Sequence, residues 1–186
     1  MYCNRVNPAR HKTLAHGLTL IESLCGLAIS AILVGNAVPM FHEMHASQAL
    51  QASAALLETD IQFAKSQASA DGHPVRLSVQ AVQGGTSCYV IHTGAAHACR
   101  CQGAGRAVCD PGAKLYRLSE QSGPSGIALA PLQRSILFDA GKGTVTPTAT
   151  FNVTDSEGRS IHQVVNIMGR VRSCTPNPGF AGLKTC

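Results

Sequence analysis

Leu18 to Val38 is an unbroken apolar run of 21 residues that carries a single carboxylate, Glu22. As a helix it spans roughly 31 Å at about 1.5 Å per residue, enough to cross a bilayer core. In a chain of 186 residues such a segment leaves room for one globular domain and little else. A carboxylate five residues into a membrane helix is costly in lipid and marks function. A short basic stretch ending at Gly17 comes before the run. Ordinary secretory signals place the small-residue cleavage site after the apolar region, which is then lost. Here the plausible cut, after Gly17, precedes the apolar run and keeps it on the mature chain.

Cleavage there would remove Arg5, Arg10 and Lys12, so the formal charge falls from +5 to +2, with 12 basic against 10 acidic residues. The mature chain is only mildly basic, and the basic leader fits a cytoplasmic N-terminus with the rest exported. Cysteine usage agrees. Of eight cysteines, Cys3 leaves with the leader and Cys25 lies in the apolar run, so six remain in the exported part: Cys88, Cys99, Cys101, Cys109, Cys174 and Cys186. An even count outside the reducing cytoplasm fits three disulfides, with 15 pairings open. Cys174–Cys186 is the expected one, because it closes a short loop rich in Pro and Gly at a gain of about 3 kcal/mol. A zinc site built from Cys99, Cys101 and Cys109 with His92 or His97 is the weaker alternative, since only one short Cys-x-Cys spacing is present.

Beyond Pro39 the helical signal continues. Leu50, Ala54, Leu57, Ile61, Ala64 and Ala68 recur at alternating spacings of four and three and draw one apolar stripe. Gly72 and Pro74 supply the stop. The spacing predicts one helix from about Leu18 to Asp71, bent near Pro39. The chain beyond Pro74 reads as β: Val75–Val79, Cys88–Ile91, Ser135–Phe138, Thr144–Thr154 and Ile161–Met168, with weaker strands at Lys114–Ser119 and Gly126–Leu132. Residues 92–112 read as an irregular, bridged loop. The expected fold is α+β, a long helix packed on an antiparallel sheet. The expected division is a leader (1–17), an apolar assembly helix (18–39), an amphipathic helix (40–72) and a β-rich domain with a basic, disulfide-closed tail (73–186).

The N-terminal stretch resembles the processing signal of type IV pilins and type II secretion pseudopilins. Gly17 stands at −1, Leu18 at +1 where Phe is usual, Glu22 at +5, and Pro39 at mature position 22. The run from Ile136 to Arg172 resembles the C-terminal half of the FimT/GspH family of minor pilins and pseudopilins. It shares that family's order of strand, Gly-rich turn after an aromatic-Asp pair, Phe-containing strand, acidic-Gly turn and a closing apolar strand into Gly-Arg-x-Arg. The resemblance implies cleavage by a prepilin peptidase between Gly17 and Leu18, N-methylation of Leu18, and assembly through Glu22 onto the N-terminal amine of a neighbouring pilin. It places the protein in the inner membrane, with its C-terminal domain periplasmic, and then in an extracellular pilus. The rival without a processing role is a simple N-terminal anchor.

No catalytic constellation is visible. His73, His92, His97 and His162 have no Ser, Asp or metal-ligand partner at recognisable spacing, and no phosphate-binding glycine loop is present; an enzyme, a metal or a cofactor is not expected. The chemistry sits in the tail. From Arg159 to Cys186 there are four basic residues (Arg159, Arg170, Arg172, Lys184) and no Asp or Glu, a charge of +4 against −2 for the rest of the mature chain. On a strand, Arg170 and Arg172 would point the same way about 6.5 to 7 Å apart, near the spacing of successive phosphates. Guanidinium groups bind phosphate bidentately and keep their charge. In the FimT branch of the family, Gly-Arg-x-Arg is associated with DNA capture in natural transformation, and Gly169-Arg170-Val171-Arg172 matches it. The expectation is a minor pilin that binds DNA without sequence preference, through Arg170 and Arg172 helped by Lys184 and then Arg159. The alternatives are a GspH-type pseudopilin with no DNA role, whose partners are other pseudopilins, and a membrane-anchored structural protein that never assembles. The bland reading of the arginines is that they pair with acids such as Asp155 or Glu157.

Overall fold

The computed structural model describes residues 19–82, 86–121, 126–131, 134–176 and 182–186, with the side chains of residues 38–40 set aside. Gly17 and Leu18, and the side chain of Pro39 at which a bend is expected, lie outside the described residues. Helix α1 runs Leu20–Asp71. Among the described residues twelve strands come after it: β1 Val75–Ala81, β2 Ser87–Thr93, β3 Cys99–Gly103, β4 Arg106–Cys109, β5 Leu115–Gln121, β6 Ala128–Pro131, β7 Ser135–Phe138, β8 Val145–Thr146, β9 Ala149–Thr154, β10 Ser160–Val165, β11 Val171–Thr175 and β12 Lys184–Thr185. The chain divides into two units at His42/Glu43.

In the first unit the helix starts at an N-cap threonine, Thr19. The Glu22 amide donates to Thr19 Oγ1 at 3.3 Å, and Glu22 itself stands three residues on, where its carboxylate opposes the positive end of the helix dipole. Further along, the polar side chains turn back on their own backbone. Ser30 Oγ donates to the Gly26 carbonyl at 2.8 Å and Asn36 Nδ2 to the Ile32 carbonyl at 2.8 Å. Such bonds make Ser and Asn tolerable where no water is available. Leu20, Ile21, Leu24, Leu27, Ile29, Ile32 and Leu33 are all exposed. This stretch is the one helix, among the described residues, long and apolar enough to cross a membrane.

In the second unit the apolar stripe does what its period requires. Leu50, Ala54, Leu57, Ile61, Ala64 and Ala68 are each at most 3 % exposed and form one side of the core. The other side comes from two five-stranded sheets, ordered β5-β2-β1-β7-β8 and β12-β11-β10-β9-β6. Their inward positions alternate as a half-buried strand demands: Val75, Leu77 and Val79 on β1, Phe151 and Val153 on β9, Ile161 and Val165 on β10. Within the sheets every pairing is antiparallel except β11 with β12. The α+β architecture is as expected, though with two sheets in place of one.

Three local expectations change. Residues 92–112 are not wholly irregular: β3 and β4 form a two-stranded hairpin, turning at Ala104 (φ 53°) and Gly105 (φ 70°). Its alternation is masked by Cys and Gly, which carry little hydrophobic pattern. Thr144–Thr154 is two strands rather than one, because Pro147 has no N–H to continue the ladder. The last apolar strand ends at Val165 instead of Met168, and the chain turns there.

Candidate nucleic-acid interface

That turn builds the site. Asn166 and Arg170 close the β10–β11 hairpin, the Asn166 amide donating to the Arg170 carbonyl at 3.1 Å. Asn166 Oδ1 accepts from the amides of Met168 (3.0 Å) and Arg170 (2.9 Å), and the Gly169 amide returns to the Asn166 carbonyl at 2.8 Å. Gly169 sits at φ 70°, the left-handed residue that ends a three-residue hairpin loop. The turn is bolted to its neighbours. Lys65 Nζ on α1 donates to the Met168 carbonyl at 2.6 Å, Gln62 Nε2 to the Gly169 carbonyl at 3.3 Å, and the Val145 amide to the Ile167 carbonyl at 2.7 Å. A Cβ on Gly169 would lie 3.0 Å from both Lys65 Cδ and Val145 Cγ2, so only glycine lets α1 approach this closely.

Arg170 leaves the turn just before β11, and Arg172 lies on β11 opposite Val164. Both are exposed, while Val171 and Ser173 between and after them are half-buried. Ser173 faces α1, donating to Gln163 Oε1 at 2.9 Å, and Gln163 in turn donates to the Ala54 carbonyl of α1. Alternation along β11 then puts Arg172 on the opposite face. Lys184 lies on β12 beside Cys174, two positions along β11 from Arg172. Cys174 and Cys186 are bonded, which ties β12 to β11. Arg170, Arg172 and Lys184 take part in no ion pair among the described residues.

Arg159 is different, and the expectation for it is corrected. Its Nε meets Asp155 Oδ2 at 2.7 Å and its Nη2 meets Glu157 Oε2 at 3.3 Å. The side chain is only 22 % exposed, and the bond to Asp155 holds its charge on by raising its pKa. Asp155 also accepts the amides of Glu157 and Arg159, so the acidic turn is organised around this arginine. This acidic turn joins β9 to β10, at the opposite end of β10 from the Asn166–Arg170 turn.

Other candidates fall into place. Glu22 takes part in the cap described above and has no side-chain partner among the described residues. Cys88–Cys101 and Cys99–Cys109 are disulfides, so the cysteines of the zinc alternative are consumed. Among the described residues no group of three or more His, Cys, Asp and Glu is placed to hold a metal ion. His92, expected to lack a partner, is fully buried with Nε2 3.1 Å from Ser78 Oγ and Nδ1 2.9 Å from the Thr93 carbonyl; burial lowers its pKa. Lys65 and Gln62 are the site residues that the sequence alone did not single out, since more than 100 positions separate them from the turn they hold.

A membrane-length apolar helix whose continuation packs its apolar stripe on antiparallel sheets is a pilin-like architecture. The family model for GspH, described as type II transport protein GspH, matches residues 53–169, well over half of the chain, and the chain belongs to this family. It is a minor pilin or pseudopilin in the general sense, a subunit that assembles with others of its kind, and its apolar helix fits a single-pass inner-membrane anchor. No curated protein and no solved structure matches the chain.

Proposed function

We propose that this protein is a FimT-like minor pilin that enters a type IV pilus and binds DNA without sequence preference during natural transformation. One observation carries the reading: Arg170 and Arg172 at the β10–β11 hairpin and Lys184 on β12 are exposed and take part in no ion pair among the described residues. Contacts of this kind address phosphates and carry no base information. The full chain in detergent should retard plasmid DNA at low salt, and the affinity should fall steeply as salt rises. Arg170→Ala with Arg172→Ala should reduce the salt slope by about 2, one phosphate contact per arginine, and abolish most of the shift. An unchanged shift would overturn the proposal.

The same reading includes export and processing. A prepilin peptidase cleaves after Gly17, Leu18 becomes the N-methylated first residue, and Glu22 receives the amine of a neighbouring subunit in the filament, where a buried carboxylate needs such a partner. The β-rich domain is periplasmic before assembly and extracellular afterwards. Intact-mass analysis of the membrane-purified protein should then find a chain beginning at Leu18; one beginning at Met1 would rule this processing out.

A second reading is a GspH-type pseudopilin of a type II secretion system, which the match over residues 53–169 supports no better and no worse than the first. On this reading the tail contacts other pseudopilins, and the plasmid assay gives no shift at all.

A further inference from the structure

On the outer side of the first sheet, away from the α1 stripe, the structure collects cations in a place the DNA reading does not use. A cavity of about 550 Å³ opens where β1 and β7 face β6, and Ser78, Gln80, His97, Arg100, Arg134 and Ser135 are among the residues that line it. No Asp or Glu lines it. Behind Ser135 stands Arg76, half-buried, with Nη1 3.1 Å from Ser135 Oγ and Nε 3.3 Å from the Gly94 carbonyl. From Ser135 the hydrogen bonds continue to Ser78 Oγ at 3.1 Å and on to buried His92 at 3.1 Å. Arg76, Arg100 and Arg134 have no ion pair among the described residues.

The backbone that carries the cations is fastened. Arg100 stands between Cys99 and Cys101, each in its own disulfide, one bridging to Cys109 within the hairpin and the other to Cys88 on β2. The Gln80 amide fastens the same hairpin, donating to the Cys99 carbonyl at 2.7 Å and accepting the Cys101 amide at 3.0 Å. Arg134 is held by its own carbonyl, which accepts the Val79 amide at 2.8 Å. Arg100 and Arg134 line one concavity that offers no carboxylate to offset their charge, and an anion held there would do so. Arginine forks and serine hydroxyls converging on one space suit a tetrahedral, multiply charged oxyanion better than a single carboxylate.

We propose that this cavity is a phosphate-binding site, with Arg100 and Arg134 supplying the charge and Ser78 and Ser135 lining the wall. It takes a phosphate group, either free or as the head of an ester, and it is separate from the Gly169–Arg172 turn. It does not depend on the DNA reading.

The test is thermal unfolding of the full chain in detergent micelles at constant ionic strength. Inorganic phosphate, glycerol 3-phosphate and thymidine 5′-monophosphate are titrated separately against chloride controls. At least one should raise the unfolding temperature saturably. Arg100→Ala with Arg134→Ala should weaken that binding by about tenfold or more, since charge-assisted bonds to phosphate are the strong ones. Both residues are exposed and neither takes part in an ion pair among the described residues, so the variant should fold. Arg170→Ala with Arg172→Ala should bind as well as the native chain. The strongest ligand names the source: free phosphate, a lipid-type headgroup or a nucleotide. No saturable rise with any of the three overturns the proposal. So does a rise that the Arg100/Arg134 variant keeps, or one that the Arg170/Arg172 variant loses.

Discussion

Replacing Asp60 with alanine should cost the β-rich unit about 2–3 kcal/mol, a large share of a typical domain's stability. Asp60 lies on the buried side of α1, 1 % exposed, between Leu57 and Ile61 of the apolar stripe. Its carboxylate accepts from the Tyr89 hydroxyl at 2.7 Å and pairs with Arg117. Arg117 also stacks on Phe63, 4.2 Å from the ring centre. Burial, the largest cause, pushes the Tyr89 hydroxyl well above its usual range, so it remains a donor at any physiological pH. Removing the carboxylate leaves a buried hydroxyl and a guanidinium without their acceptor, the costly half of such a pair. Asp60→Asn keeps an acceptor for Tyr89 and should lose less. Urea unfolding of the two variants measures this, and a loss under about 1 kcal/mol for Asp60→Ala would mean the helix is held by apolar packing alone.

Gly169→Ala should destabilise the chain by about 2–4 kcal/mol, combining a left-handed backbone that a Cβ disfavours with overpacking of a filled site. The added methyl meets Lys65 Cδ and Val145 Cγ2 at 3.0 Å, and those atoms belong to the two elements that hold the turn. The substitution changes no charge, so its effect on DNA isolates placement from electrostatics. The β10–β11 turn must shift to admit the methyl, Arg170 shifts with it, and plasmid affinity should fall although all the cations remain. A variant that loses stability but binds plasmid as before would show that the turn's shape does not matter to the contact. Thermal melts and gel shifts on one preparation give both readouts.

Local periodicity was readable in the chain, and long-range chemistry was not. The stripe from Leu50 to Ala68 could be found because one buried face imposes one period, and Ser135–Phe138 could be bounded because a short apolar run sits between polar turns. The β3–β4 hairpin escaped because its pattern is made of Cys and Gly. Asp60 escaped for the opposite reason. An acid on a helix reads as solvent-facing, and nothing near it in sequence announces Tyr89 or Arg117. The motif Gly169–Arg172 was visible as four letters, but its surroundings were not: its support comes from Gln62 and Lys65, more than 100 positions away.

That support has a mechanical consequence. On the proposed function, in which the helix attaches the subunit to a filament and the hairpin holds DNA, the subunit is loaded in tension between the two. Here the load need not cross the sheets. From Arg170 it enters the turn, and the Met168 and Gly169 carbonyls hand it to Lys65 and Gln62, which are rooted in α1 itself. The disulfides all lie within Cys88–Cys186 and carry none of this force to the helix. Under a pull, the two hydrogen bonds and the close seat of Gly169 form the joint that bears first.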